Sequence, residues 1–265
     1  SILKRHGCKF WDAWADETGK VPSAYGAFWR HFPVHQSLDP KSPKAQSLGF
    51  TEEPGFNDQI AWVLDELKRN PMSRRLVVSA WAPGNAQTSK LPPCHSIFMM
   101  NVQNEEESLD SRLARAMHTL KADPQAIPEG IRNRIVEWHK DTAEGRRLLS
   151  LALTQGGVTP KVKQRLCLHL TQRSCDVALG IPYNIASYAL LLHLFSRFSG
   201  IEPGIFAHTL VDAHIYTAKP DSSMAEYDHI PGLKDQITRE PRRLPKLLIS
   251  DAIKDLKDVE ALMDP

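Results

Sequence analysis

The sequence feature that most constrains this chain is the stretch LPPCH at residues 91–95. Two consecutive prolines fix φ near about −65° and remove two backbone donors, so the chain approaches Cys94 as a rigid, non-helical segment. The apolar run IFMM at 97–100 follows and predicts a strand. A lone cysteine is more often a buried structural residue, but a core position does not need the rigid pair Pro92 and Pro93 before it, which we call the proline clamp. The pattern therefore favours a nucleophile, which requires cationic neighbours or hydrogen-bond donors that stabilise the thiolate.

Composition excludes several classes of protein. The chain has 265 residues, 42% hydrophobic and 24% charged, and a net charge of +2, which argues against a general nucleic-acid coat. No apolar run reaches the ~18 residues that a membrane span needs, and the N-terminus shows no signal-peptide pattern. The four cysteines form no CxxC pair and no metal-binding spacing, which predicts a reduced, cytoplasmic protein without a metal.

Periodicity predicts a chain of mixed helices and strands. Helical spacing indicates helices at 58–68, 185–198 and 233–238, with a weakly helical acidic tail at 250–265. The helix at 185–198 is apolar nearly all round and is predicted to be central to the core. Apolar or alternating runs indicate strands at 76–81, 97–102, 164–176, 204–216 and 246–249. Four of the six tryptophans lie in the first quarter, where aromatics usually form core but also provide flat walls for a planar ligand.

Two further segments differ from this pattern. Residues 104–162 are strongly charged and carry apolar positions at helical spacing, which indicates two or three helices without obvious chemistry. Arg74 and Arg75 precede the strand at 76–81. Paired arginines at a strand start are most often solvated, but they are also the residues best suited to grip a phosphate bidentately.

Taken together, several segments resemble thymidylate synthase and its relatives, the pyrimidine nucleotide hydroxymethylases. The matching segments follow the family's order: 11–17, 25–30, 74–81, 91–95, 172–188, 212–216 and 239–247. The most specific are QRSxD at 172–176 and GxPxNIAxY at 180–188. The resemblance implies an α+β fold, a large mixed β-sheet with helices on one face and a homodimer formed through its other face. It implies one catalytic domain over 1–265 with a helical insertion at about 104–163 in a hairpin, and without the family's N-terminal segment and closing C-terminal tail.

The resemblance also implies one-carbon transfer from 5,10-methylenetetrahydrofolate to C5 of dUMP. Cys94 would add to C6 of the pyrimidine, and Tyr25 matches a position involved in removing the proton from C5. Arg173 would hold the phosphate and favour the thiolate, while Asn184 would donate to O4 and accept from N3–H of uracil. Asp176 would bind the pterin ring of the folate.

The remaining roles follow from the same resemblance. The catalytic residues would be Cys94, Tyr25, Arg173, Asp176 and Asn184. The nucleotide would be bound by Arg74, Arg75, His95, Gln172, Arg173, Ser174, Asn184, His214 and Tyr216, with Arg74 and Arg75 reaching across the homodimer and His214 and Tyr216 on the ribose. The folate would be bound by Trp11, Trp14, Asp176, Gly180 and Tyr183.

The sequence also departs from the family pattern. Met99 stands in place of a usual glutamine, Val211 in place of a glycine, and 217–219 lack the usual Asn-His pair. Three functions stay open: thymidylate synthase, which gives dTMP; a dUMP hydroxymethylase, in which water captures the intermediate; and an inactive or RNA-binding relative. The intact Cys94, Arg173 and Asn184 argue against the third. Neither membrane association nor nucleic-acid binding is expected.

Overall fold

The structure is a computed structural model that describes residues 7, 15–17, 25–33, 56–83, 91–138, 142–218 and 228–263. Its strands are β1 Phe32–Pro33, β2 Phe56–Asn57, β3 Val77–Ser79, β4 His95–Glu106, β5 Val162–Gln172, β6 Cys175–Asp176, β7 Glu202–Leu210 and β8 Ala213–His214. Its helices are α1 Tyr25–Arg30, α2 Gln59–Arg69, α3 Leu109–Ala122, α4 Glu129–Trp138, α5 Ala143–Gln155, α6 Gly180–Ser199, α7 Ile230–Gln236 and α8 Leu256–Met263. The chain divides into two compact units. The first comprises residues 1–102 and 166–265, and the second comprises residues 103–165.

The first unit is built on a four-stranded sheet in the order β3-β4-β5-β7. Strands β3 and β4 are antiparallel, with Val78 opposite Phe98. Along β4 the buried side chains alternate with exposed ones, so one face of the sheet is apolar and covered. The expected α+β arrangement with a mixed sheet is confirmed. The homodimer stays a prediction.

Helices α2 and α6 supply the other half of this core. The apolar side chains of α2 pack with those of α6 and with the buried side chains of the strands. On α6 these residues are Tyr188, Leu192 and Phe195. On α2 they are Ile60, Val63, Leu64 and Leu67. Asp58 caps α2, because its carboxylate accepts from the backbone N–H of Ala61 at 2.9 Å. The sequence-predicted helix is therefore confirmed.

A buried glutamine fixes helix α1 beside the sheet. The side-chain nitrogen of Gln59 donates to the carbonyls of Phe28 at 2.9 Å and Ser79 at 2.8 Å. Its side-chain oxygen accepts from the backbone N–H of Ser79 at 2.9 Å. One side chain thus joins α1, α2 and β3, which holds the helix that carries Tyr25.

Helix α6 differs from its prediction in two ways. It begins at Gly180 rather than at Ile185, because the Asp176 carboxylate accepts the free N–H groups of Ala178 and Gly180, each at 3.1 Å. Pro182 is tolerated in this first turn, where no intrahelical N–H bond is lost. The helix is also not buried all round, since Ile185 and Leu190 are exposed.

Three predicted strands differ from the structure. The strand expected over 164–176 is divided into β5, which ends at Gln172, and β6, which begins at Cys175. The strand expected over 204–216 breaks after Leu210, because Val211 N–H donates to Gln172 while the carbonyl of Asp212 accepts from Cys175 on β6. The chain therefore changes its pairing partner at this point. The strand expected at 246–249 is irregular and largely exposed. Two prolines, at 241 and 245, precede it, and no strand in the described part of the chain pairs with it.

The second unit contains three helices, α3 to α5, around a separate core. Its centre is formed by Ala116, Ile127, Ile135, Leu149, Ala152, Leu153 and Val158. Arg112 is buried here and donates to the carbonyl of Val158 and to the hydroxyl groups of Ser150 and Thr154. These acceptors lie near the end of α5, where a cation is favourable. That this unit is an insertion in a family hairpin stays a prediction.

Candidate active site

Cys94 lies immediately before β4, held by Arg173. The guanidinium of Arg173 donates to the carbonyls of Pro93, through Nε, and Pro92, through Nη2, both at 2.9 Å. The backbone N–H of Arg173 donates to the Cys94 carbonyl at 2.9 Å. The guanidinium carbon lies 5.6 Å from the centroid of the Trp81 ring, a cation–π distance. The prolines leave carbonyl groups without helical or sheet partners, and one arginine binds them.

Tyr25, on α1, contacts the backbone of Cys94. Its phenolic oxygen accepts a hydrogen bond from the backbone N–H of Cys94 at 3.0 Å. Burial, reinforced by the charge of a Cys94 thiolate, raises the pKa of Tyr25 to about 12. The phenol is therefore protonated at neutral pH and makes this contact as a neutral group.

His95 is the next side chain along β4 and is enclosed by aromatic rings. Its ring stacks on Tyr25 with centroids 4.3 Å apart, and its Nδ1 lies 3.2 Å from the hydroxyl of Tyr188. Burial lowers the pKa of His95 to about 4, although a hydrogen bond with Asn184 acts in the opposite direction. His95 is thus neutral near pH 7 and does not supply the positive charge that a thiolate needs.

Asn184 and Gln172 meet beside His95. The Gln172 side chain is 2% exposed, and its amide nitrogen donates to the carbonyl of Ser174 at 2.9 Å and to Oδ1 of Asn184 at 3.0 Å. Its amide oxygen lies 3.0 Å from Nε2 of His208 on β7. Asn184 is the fifth residue of α6, so the start of the helix places it next to Gln172 at the end of β5.

Asp176 and Gly180 form the second part of the site. Besides its two backbone N–H donors, the Asp176 carboxylate lies 3.5 Å from Nδ1 of His229. A Cβ at position 180 would lie 3.2 Å from Cβ of Asp176 and 3.7 Å from Oδ1 of Asn184. A side chain at position 180 would therefore crowd Asp176, which glycine avoids.

The segment 212–216 runs beside this carboxylate. Strands β6 and β8 are parallel, with Asp176 opposite His214. The rings of His214 and Tyr216 lie 5.0 Å apart, edge to face, and Tyr216 accepts at its carbonyl from the backbone N–H of His229 at 3.0 Å. The two predicted ribose ligands are thus neighbours at the edge of the site.

The structure brings most of the predicted residues together but not all of them. Arg74 and Arg75 are exposed just before β3, and Ser174 contributes its carbonyl to the contact with Gln172. Tyr183 is exposed on the first turn of α6. Trp11 and Trp14 lie outside the described residues.

Several contact residues were not predicted. They are Trp81 under Arg173, Tyr188 on His95, His208 on Gln172 and His229 on Asp176. Tyr188 follows Asn184 by four residues, so helical spacing alone could have placed it on the same face. The two histidines lie on other elements, and nothing local in their sequence indicates these contacts.

The thiols and acidic groups of the described residues do not gather into a metal site. No cluster of three or more histidine, cysteine or acidic side chains there has the arrangement that holds a metal ion. Cys94, Cys167 and Cys175 are free thiols. None of the described helices is long and apolar enough to cross a membrane.

Comparisons with known proteins show the family of this chain. The family model for thymidylate synthase matches residues 1–122 and 105–263. A curated thymidylate synthase from Haloferax volcanii is 34% identical over 282 aligned positions, which cover 91% of this chain and 65% of that protein. The chain therefore spans slightly less than two thirds of the length of this relative. The matches cover both the Cys94 segment and the Gln172–Tyr188 segment, and the chain belongs to the thymidylate synthase family.

Proposed function

We propose that this protein transfers a one-carbon unit from 5,10-methylenetetrahydrofolate to C5 of dUMP through a covalent adduct on Cys94, and that the product is dTMP. The observation that carries the proposal is the position of Cys94 between Tyr25 and Arg173, with Asn184 bound to the neighbouring His95. A nucleophile, a phenol and an amide that reads a base edge are the groups that this reaction needs.

The Cys94 thiolate adds to C6 of the pyrimidine, which moves the electron pair of the C5–C6 bond towards C4 and O4. C5 then acts as the nucleophile towards the one-carbon unit. Asn184 donates to O4 and stabilises the negative charge that develops there. C5 passes its proton to a water molecule, and Tyr25, which keeps its own proton at neutral pH, orients that water through its hydroxyl group. Cys94 leaves at the end, so the enzyme is regenerated.

The nucleotide phosphate is assigned to arginines. Arg173 donates through Nη2 and Nε to the carbonyls of Pro92 and Pro93. No contact among the described residues occupies Nη1, and we assign it to a phosphate oxygen. Arg74 and Arg75 are exposed, as they must be to serve a neighbouring chain. We assign them to the phosphate bound by the other subunit of a homodimer, and we assign His214 and Tyr216 to the ribose hydroxyl.

The folate fits the second part of the site. The folate supplies the one-carbon unit and the hydride that reduces it. Asp176 offers a carboxylate for the N–H groups of the pterin, and the exposed side chains of Leu179 and Tyr183 provide apolar surface beside it. Gly180 keeps this carboxylate close to Asn184, and Trp11 and Trp14 complete the proposed set.

A dUMP hydroxymethylase is the second candidate. It shares every assignment above and differs only in the last step, where water rather than hydride captures the methylene. Val211 favours it, because this side chain is exposed directly beside Gln172 at a position where a glycine is usual. An inactive or RNA-binding relative is disfavoured, since it has no use for the contacts at Cys94.

A covalent trap tests the proposal. With 5-fluoro-dUMP, the fluorine at C5 cannot leave as a cation, so the adduct that also contains the folate should persist. Intact-mass spectrometry should find one nucleotide and one folate per chain, and peptide mapping should place them on residues 91–95. Cys94→Ala should give no adduct, whereas the matched control Cys167→Ala should give a full one. An adduct on another residue, or none in the unmodified protein, would contradict the covalent mechanism.

A further inference from the structure

The orientation of the Gln172 amide is determined by a backbone carbonyl. The oxygen of Ser174 can only accept a hydrogen bond, so the group 2.9 Å away from it must be the amide nitrogen of Gln172. The second hydrogen of this nitrogen points to Oδ1 of Asn184 at 3.0 Å. Both donors of Gln172 are therefore used, and its amide oxygen is directed to the opposite side.

His208 occupies that opposite side. Its Nε2 lies 3.0 Å from the amide oxygen of Gln172. A carbonyl oxygen only accepts, so Nε2 must carry a hydrogen, and this contact fixes the tautomer of the ring. Burial, reinforced by the neighbouring His169, lowers the pKa of His208 and so favours the neutral ring, whose single proton the contact with Gln172 places on Nε2.

The three side chains thus form a directed chain of hydrogen bonds, from His208 to Gln172 to Asn184. If the Gln172 amide were reversed, its nitrogen would face the N–H of His208 and its oxygen would face the carbonyl oxygen of Ser174. The first contact would pair two donors and the second would pair two acceptors. Because Gln172 is buried, each mismatch would leave a polar group unsatisfied. The hydrogen bond between Asn184 and His95 acts to raise the pKa of that ring, as expected when Asn184 accepts through Oδ1. Oδ1 is therefore held towards Gln172 and His95, and Nδ2, which is a donor only, is directed to a ligand.

We propose that His208 is a positioning residue that makes this site select uracil over cytosine, acting through Gln172 on Asn184. This inference rests on the proposed function, because it takes the ligand to be a pyrimidine nucleotide. The donor Nδ2 matches O4 of uracil, which accepts, and opposes N4 of cytosine, which donates. His208 need not touch the nucleotide for this effect.

Two variants separate this role from a packing role. His208→Phe keeps a flat ring of similar size and removes the donor. His208→Gln is the matched control, because its amide N–H₂ reaches close to the place of Nε2 and restores a donor. Binding of dUMP and dCMP is measured by calorimetry without folate, and kcat/KM is measured for both nucleotides with it.

We expect His208→Phe to reduce the ratio of dCMP to dUMP dissociation constants about fivefold, the size of one neutral hydrogen bond. His208→Gln should keep the ratio within about twofold of the unmodified protein. Unchanged ratios in His208→Phe would overturn the inference, and so would an equal loss of affinity for both nucleotides, which is the result of a packing defect.

Nitrogen NMR of the unmodified protein provides a second test, which does not depend on whether a variant folds. The His208 ring should show the Nε2–H tautomer, and an Nδ1–H tautomer would contradict the proposal. Failure of the proposed function has a different signature. Turnover of dUMP would then be absent in the unmodified protein, while the calorimetric ratio would still decide the role of His208.

Discussion

The phenolic oxygen of Tyr25 and the backbone nitrogen of Cys94 lie 3.0 Å apart, joined by a hydrogen bond between residues 69 positions apart in the chain. Gln59 holds the helix that carries Tyr25, and Arg173 holds the proline segment that carries Cys94. The contact thus connects two elements that are each fixed separately. A thiol positioned in this way loses little freedom when a substrate binds.

Tyr25→Phe should separate the chemical role of the phenol from its packing role. The ring can still stack on His95, but the Cys94 N–H loses its acceptor and the site loses a group that orients proton transfer. We expect kcat to fall about 100-fold and the free energy of unfolding to fall by about 1 kcal/mol. Steady-state kinetics and urea titration measure the two effects. The comparison is Tyr188→Phe, which removes the hydroxyl group that lies against Nδ1 of His95. An unchanged kcat in Tyr25→Phe would exclude a role of the Tyr25 phenol in proton transfer.

His95 should make the stability of the protein depend on pH. In the unfolded chain its pKa is near 6.5, and burial lowers it to about 4 in the folded protein. The unfolded state therefore binds a proton first as the pH falls, so the stabilisation present above about pH 6.5 is lost between about 6.5 and 4. The loss should be roughly 3 kcal/mol.

Urea midpoints measured at several pH values test this dependence. His95→Gln lacks the titrating ring and is the control. Its stability should vary less with pH than that of the unmodified protein over this interval, and parallel curves for the two proteins would contradict the assignment.

Arg74 and Arg75 predict complementation between subunits. A chain with Arg74→Ala and Arg75→Ala keeps its own Cys94, and a chain with Cys94→Ala keeps its own arginines. A mixed dimer has one site with intact parts from both chains. Since about half of randomly mixed dimers are heterodimers, the mixture should recover about a quarter of full activity. Sedimentation as a strict monomer, or two inactive proteins that stay inactive after mixing, would exclude the shared site.

Asn184 should decide which base is accepted. The unmodified protein should prefer dUMP over dCMP at least roughly tenfold in kcat/KM, because a mismatched buried group costs ~1–3 kcal/mol. Asn184→Asp should erode or reverse this preference, since a carboxylate accepts from N4 of cytosine. Asn184→Ala is the control, which should lose the preference without reversing it. Equal turnover of dUMP and dCMP by the unmodified protein would show that Asn184 does not read the base.

Local sequence predicted much of the fold and part of the site. The spacing of Ile60, Val63, Leu64 and Leu67 predicted α2, and the proline clamp located Cys94 before β4. These features depend on neighbours in the chain, so pattern and geometry agree. The resemblance to the family added the residues around Gln172 and Asn184, which lie close together in the structure.

The parts that were missed depend on contacts between distant residues. The change of pairing partner at Val211 follows from Gln172 and Cys175, which lie well before it in the chain. The start of α6 follows from a carboxylate four residues earlier. His208 reaches Gln172 only because β7 and the end of β5 lie side by side in the sheet. Periodicity carries no information about such pairs.

The identity of the product tests the central claim most directly. The unmodified protein is incubated with dUMP and 5,10-methylenetetrahydrofolate, and the nucleotides are separated and analysed by mass spectrometry. We predict dTMP, which is about 14 mass units heavier than dUMP because one CH₂ group is added, formed together with dihydrofolate. A nucleotide heavier by about 30 units would be 5-hydroxymethyl-dUMP and would contradict hydride transfer. Unchanged dUMP would contradict one-carbon transfer altogether.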